Sequence, residues 1–490
     1  MRAGFVLNGI VRTMKPTNKY IVEHSAKTED FFLTRRKFLQ RAGMGFGALS
    51  LAALMGENLF SSSNVAAAEL ASPLSPKSPH FPAKAKHVVH IFAQGAPSHV
   101  DTWDPKPMLD KMDGKAIPGS NGGVAMASPF KFTKHGKSGI EVSEVFPKLA
   151  EHVDELAIIR SCYTDIPAHE VATIFMNTGS LRLAKPSLGS WVLYGLGSEN
   201  QNMPGYVSLR PGGQAPGGSA NWQSAFLPGL YQGVSINTQV TSVDALIQNI
   251  RNQYTVLPEQ RRELDLVHKL NELHSQNLQK EAQLEARLEA YEMAFKMQTE
   301  ATDAFDITKE SADTRAAYGN TSQGHQLLIA RRLIERGVRF VQVWAGGWDH
   351  HQDIEDKLPQ RAKEIDQPFA AFLADLKQRG LFDSTLVMWG GEFGRKPTKD
   401  RNGNDTPGRD HNNRAFTTVL AGGGVKGGTV YGATDEFGAA ATTNRVHIHD
   451  LHATALALLG FDHTKLTYRY NGRDFRLTNV EGNVVKGIIA

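Results

Sequence analysis

RFVQVWAGGWDHHQD at residues 339–353, TLVMWGGEFGRKP at 385–397 and GRDHNNRAFTTVLAGGG at 408–424 share one arrangement. Each contains an apolar run of five or six residues rich in Val, Phe and Trp, with glycines beside it. Phe340 to Ala345 runs into Gly346, Gly347, Trp348, Asp349, His350 and His351. Thr385 to Trp389 runs into Gly390, Gly391 and Glu392, while Ala415 to Leu420 is preceded by Arg409, Asp410 and His411. Short apolar runs bounded by glycine read as buried strands. In an open α/β sheet the chemistry sits beyond the carboxyl ends of the strands. Acids and imidazoles at successive strand ends therefore converge, which is how a metal site or an acid/base site is assembled.

The chain has 490 residues, enough for one large domain or two ordinary ones, and its 41% hydrophobic and 21% charged content is that of a globular protein. The formal charge of +4 is concentrated at the start, where residues 1–68 hold nine Lys/Arg against four Asp/Glu. The near-neutral remainder offers no electrostatic footprint for nucleic acid. Thr34-Arg35-Arg36-Lys37-Phe38-Leu39 matches a twin-arginine export signal, and the Gly/Ala-rich run from Ala42 to Met55 behind it is too short for a stable membrane span. Ala66-Ala67-Ala68 offers a cleavage site. The 33 residues ahead of the motif are long for such a signal and leave open a start nearer to it. Export to the periplasm or beyond follows as an expectation. The single cysteine, Cys162, excludes an intramolecular disulfide framework despite that oxidising destination.

A linker over 69–85 leads to a first core strand over Lys86 to Gly95, and Glu155 to Ser161 reads as another strand. Met108 to Ile140 is Gly-rich and without periodicity, a surface loop by composition, and Pro211 to Gly233 reads likewise. Helices are expected over Glu170 to Met176, Ser187 to Leu196, Gln323 to Arg336, Gln360 to Arg379 and His449 to Leu459. Pro258 to Tyr318 carries Leu at helical spacing among Glu, Gln and Lys, and is expected to be a helical insertion with a solvated face. Strands alternating with helices imply an α/β domain over 86–490: a largely parallel central sheet with helices on both faces.

The pieces APSHVDTWDPKP (96–107), AHEVATIFMNTG (168–179), GGWDHH, GGEFGRKP, GRDHN and HDLHATALALLGFDHTKLTYRYNGRDFRLTNVEG (449–482) occur in that order. Together they resemble the domain-of-unknown-function 1501 family, which is similar to sulfatases and belongs with the alkaline-phosphatase-like superfamily. The resemblance implies an alkaline-phosphatase-like fold and a two-metal clamp. Paired divalent ions (Zn, Mn, Ca or Mg) would neutralise the oxygens of a sulfate or phosphate ester, carried by a small molecule or a polysaccharide. Mapped on this chain, Asp101 is similar to the first-strand metal Asp, and Asp349 with His351 resembles the Asp/His pair. Glu392 falls where the superfamily has a strand-end Asp, with Phe393 in place of its His, and His411 beside Asp410 stands for the late His. The nucleophile does not map: ten residues before Gly179 stands His169, not Cys or Ser. His169 then acts as nucleophile or ligand, or water attacks directly, or hydrolysis has been lost and a binding or scaffold protein is left. Arg395 either holds an anionic substrate oxygen or pairs with a neighbouring acid. His447 and His452, flanking Asp450 at a helix start, read as capping or core residues, and His350 as a residue behind or beside His351.

Overall fold

The computed structural model describes residues 73–490 apart from 119, 121, 183, 214, 240–255, 278–301 and 401–405. The twin-arginine segment, the apolar run after it, the alanine triplet and the middle of the helical insertion lie outside the described residues. The chain divides into two units, Met1–Leu70 with Leu266–Gln279, and Ala71–Asp265 with Lys280–Ala490. Of the first unit the described part is a stretch of one helix.

The second unit is built on a sheet that, among the described residues, has nine strands. They are β1 His87–Phe92, β2 Leu156–Tyr163, β3 Tyr206–Arg210, β4 Val234–Asn237, β5 Phe340–Trp344, β6 Thr385–Gly390, β7 Phe416–Ala421, β8 Thr429–Tyr431 and β9 Val446–His447. Their order is β8-β2-β7-β6-β1-β5-β3-β4, with β9 also on β2. All pairings are parallel except those of β7, which runs antiparallel to both β2 and β6. The mostly parallel sheet expected from the sequence is therefore present, with one strand reversed.

The central strands show why continuous apolar runs are needed here. On β1, Val89 and Ile91 enter one core cluster while Val88 and Phe92 enter the other, and on β6 Val387 and Trp389 oppose Leu386 and Met388 in the same way. A strand covered on both faces has no solvent side for polar residues. The principal helices are α1 His169–Thr178, α2 Leu188–Leu196, α3 Leu257–Asn277, α4 Ser322–Glu335, α5 Ile354–Gln378 and α6 Ile448–Leu458. Leu327 and Leu333 of α4 and Leu358 and Phe369 of α5 cover the first face; Phe175 of α1, Trp191 of α2 and Leu451 of α6 cover the second.

Three expectations need correction. Met108 to Ile140 is not merely surface loop: it holds the helix Pro107–Met112 and the first strand of the hairpin Phe132–His135/Ile140–Ser143, and it buries Leu109, Ile117, Met126 and Phe130. Isolated apolar anchors leave no period to detect. β3 and β4 flank the Pro211 to Gly233 loop and were not expected, because short segments carrying Ser, Arg and Asn within Gly- and Pro-rich sequence do not stand out from the loop. α5 begins at Ile354 rather than Gln360, since Pro359 sits inside it, where a proline forfeits one helical hydrogen bond.

Candidate metal centre

β1, β5 and β6 end in register, with Phe92 opposite both Trp344 and Gly390. The loops that leave them therefore start at one level. The loop after β1 is pressed against the loop after β5: Gly95 has φ +108°, and a Cβ there would lie 2.7 Å from the Asp349 backbone nitrogen. Only glycine fits such an approach at that φ. The reversal of β7 completes the arrangement. Its beginning, not its end, lies beside the end of β6, so the residues just before it reach the same edge. They form a two-stranded ribbon, Gly394–Lys399 with Arg409–Asn412, that sets His411 opposite Arg395. His169 arrives from another direction as the first residue of α1.

Four of the expected residues meet there. The Asp349 carboxylate lies 3.0 Å from His351 Nε2, 3.4 Å from His411 Nε2 and 3.3 Å from His169 Nε2, and His351 and His411 face each other Nε2 to Nε2 at 3.0 Å. The far sides of the three rings decide their tautomers. His169 Nδ1 lies 2.6 Å from Glu392, His351 Nδ1 lies 2.5 Å from Asp400, and His411 Nδ1 lies 2.9 Å from the Pro167 carbonyl. Carboxylates and carbonyls only accept, so each Nδ1 carries a proton, and in the neutral form of each ring Nε2 offers a lone pair. Three Nε2 atoms thus converge on one carboxylate. His169 Nε2 is buried, 3.3 Å from an Asp349 oxygen. This is the donor set of a cation site with its outer partners in place: imidazoles held by acceptors behind them.

Glu392 plays a different part from the one expected. Fully buried, it accepts from the Gly95 backbone N–H and orients His169 rather than joining the converging atoms. Asp101 is not brought into the cluster. Its carboxylate is buried and spent on the Arg409 guanidinium, at 2.6 and 2.9 Å, and on the Ser98 hydroxyl at 2.5 Å. Burial would raise its pKa, but the Arg409 charge and hydrogen bonds win and lower it. Arg395 is likewise buried, and its donors go to the carbonyls of Gly95, Ala96 and Arg409 and to Asp349. The pairing alternative for Arg395 is the one observed, with Asp349 as its acid. His350 is buried, edge-on to Trp348. His447 caps α6 as expected of it, and His452 is buried with Nε2 on the Met176 carbonyl. Asp400 is the residue sequence reading missed; it follows a polar ribbon strand and carries no motif.

Electrostatics explain how this many acids sit together. Burial would lower the His169 pKa, yet hydrogen bonds to Asp349 and Glu392 outweigh it and raise the value to about 9. Asp349 is opposed by burial but is held well below the usual carboxylate range by His169, His411 and the Arg395 charge. Without an ion, then, a proton on His169 and the Arg395 charge balance Asp349 and Glu392. Mutual repulsion of unpaired carboxylates is therefore no argument for a metal here. The convergent lone pairs are the stronger reason.

Fold and cluster together define an α/β protein with a mixed, mostly parallel sheet and an imidazole–carboxylate cluster where its central strands end. More particularly, the chain belongs to the family described as protein of unknown function DUF1501, whose model matches residues 85–489. Solved structures similar to it include the PsFucS1 sulfatase from Pseudoalteromonas sp., at 12% identity over 77% of this chain and 68% of that one, TM-score 0.32. They also include the lipoteichoic acid synthase LtaP from Listeria monocytogenes, at 9% identity over 83% and 78%, TM-score 0.34. The alkaline phosphatase of the Antarctic bacterium TAB5 is similar at 10% identity over 69% and 92%, TM-score 0.29. At these identities and scores the likeness carries no inference about chemistry. No curated protein sequence matches the chain.

Proposed function

We propose that the chain is a metal-dependent hydrolase of sulfate or phosphate esters, small or polysaccharide-borne, exported by the twin-arginine route. The observation that carries the metal is the convergence of three imidazole Nε2 atoms on Asp349, each ring fixed from behind by Glu392, Asp400 or the Pro167 carbonyl. Three nitrogens and one oxygen suit Zn²⁺ or another first-row ion better than Ca²⁺ or Mg²⁺, which prefer all-oxygen shells. An ion held there would supply Lewis acidity and make water a nucleophile at neutral pH. The ester class comes from the motif resemblance. Neither hydroxyl nor thiol named above competes with water: Ser98 is engaged by Asp101, and the Cys162 thiol is buried with its pKa pushed up to about 12. The cluster is open to substrate, since the Asp349 side chain is 45% exposed.

A binding protein that keeps the ion without turnover is the second reading. It is favoured by Arg395, whose donors are spent on the protein and which leaves no guanidinium for a substrate oxygen. The deciding experiment is metal analysis and a thermal melt with and without EDTA, alongside aryl sulfate and phosphate hydrolysis by wild type and His169→Ala. The expected result is a bound first-row ion, one fewer ion per chain in Asp349→Asn, a lower melting temperature in EDTA, and turnover abolished in His169→Ala. Metal without turnover selects the binding protein. An Asp349→Asn variant with unchanged metal content overturns both.

A further inference from the structure

The long C-terminal motif over 449–482 takes no part in the cluster on Asp349, yet it builds a second convergence of the same kind with the opposite tautomer. His447 ends β9 and caps α6; His449 follows in the first turn of α6. His447 Nε2 lies 3.1 Å from Asp165 Oδ2, and His449 Nε2 lies 3.1 Å from the Gly179 carbonyl, just past the end of α1. Both acceptors require a proton on Nε2, so in the neutral form of each ring Nδ1 is a lone pair. The two Nδ1 atoms face the same oxygen, Glu481 Oε2, at 3.6 Å from His447 and 3.0 Å from His449. At 3.0 Å the His449 nitrogen and the carboxylate oxygen need a positive charge between them, which a second proton on the ring or a metal ion supplies. The backbone N–H of His449 also points at His447 Nδ1, but at 3.4 Å, a long capping bond.

The surroundings leave room for an ion. A cleft of about 270 Å³ opens beside His447 and Glu481, lined also by Tyr163, Asp165, Asp450, Gly482 and Asn483. Asp450 is not available as a ligand, because its oxygens accept from the backbone N–H groups of His447 and Asn483 at 2.8 and 2.6 Å. Asp165 stands behind His447 as a carboxylate does behind a metal-bound imidazole. We propose that His447, His449 and Glu481 form a second cation site, a two-histidine, one-carboxylate set for a first-row divalent ion, with open positions facing the cleft. Imidazole with a single carboxylate suits Zn, Fe, Co or Ni rather than Ca or Mg. The site shares no residue with the Asp349 cluster and does not depend on the hydrolase reading.

The experiment uses the purified full chain, stripped with chelator and titrated with Co²⁺ by equilibrium dialysis and visible absorption. His411→Ala serves as the background in which the first cluster is disabled. One Co²⁺ is expected to remain bound in His411→Ala. Adding Glu481→Gln, a change at a side chain 57% exposed, should weaken that binding at least ~10-fold, the lower bound for removing even an outer partner. Asp165→Asn should weaken it less. If the first cluster binds nothing, wild type should still lose its one Co²⁺ in Glu481→Gln. The proposal is overturned if Glu481→Gln and wild type bind Co²⁺ with the same stoichiometry and affinity, or if folded His411→Ala binds none.

Discussion

His169 begins α1 with Nδ1 on Glu392 and Nε2 facing Asp349, and its pKa of about 9 lies above the ordinary histidine value of ~6.5. An ion at the cluster must displace the proton that this pKa keeps on the ring. Below about pH 9, therefore, metal uptake should release a proton from His169, and affinity should rise with pH until the ring is neutral. Calorimetric titration of Zn²⁺ at pH 7.5 in buffers of differing ionisation enthalpy reads this directly. Glu392→Gln removes one of the two carboxylates that hold the proton, so the release should shrink while affinity falls ~10–100-fold from loss of the orienting partner. Equal proton release in both proteins would remove His169 from the ligand set. At this scale the sequence was partly legible. Asp349, His351 and His411 stand beside apolar strands, where strand ends predict chemistry. Asp101 looked identical by that criterion but is neutralised by Arg409, 308 residues away, and a pairing over that distance has no local signature.

The strands carry the same lesson with less loss. β1, β5 and β6 were legible because strands buried on both faces are mainly apolar and here run into glycines followed by polar or charged side chains, whereas β3 and β4 stand among Gly- and Pro-rich loop without that flank and β7 is reversed, which no composition reveals. Reversal nevertheless matters: it is why GRDHN works from in front of its strand while GGWDHH works from behind. The contact between the loops after β1 and β5 is tested through Gly95. A Cβ there meets both the Trp348 and Asp349 backbone nitrogens under 3.0 Å, so Gly95→Ala should push the β5 loop and Asp349 out of place. Gly114→Ala is the control, at φ +72° with nothing within 4 Å of the new carbon. Both should lose roughly 1–2 kcal/mol in denaturant melts for left-handed backbone. Only Gly95→Ala should lose more than this, and only it should bind Zn²⁺ more weakly. Unchanged Zn²⁺ affinity in a folded Gly95→Ala would separate the loop contact from the site.

For the molecule as a whole, export is a sequence argument: Arg35 and Arg36 lie outside the described residues, and no described helix is long and apolar enough to cross a membrane. The double change Arg35→Lys/Arg36→Lys should leave the protein in the cytoplasmic fraction, and periplasmic recovery equal to wild type would sink the twin-arginine assignment. The strand order bears on what must happen before any such journey. β1 is the first strand made, yet its neighbours on either side are β5 and β6, which begin at Phe340 and Thr385. At ribosomal speeds of ~5–20 residues per second, β1 waits on the order of 10–50 s for a partner. Through that interval the six residues of β1, all buried in the folded sheet, lack the strands that flank them there. The cluster is later still, since His411 must fold back onto a carbonyl at Pro167, 244 residues earlier. No ribosome-bound fragment ending before residue 411 contains it, so an ion at the proposed site would be taken up only after that residue has been made.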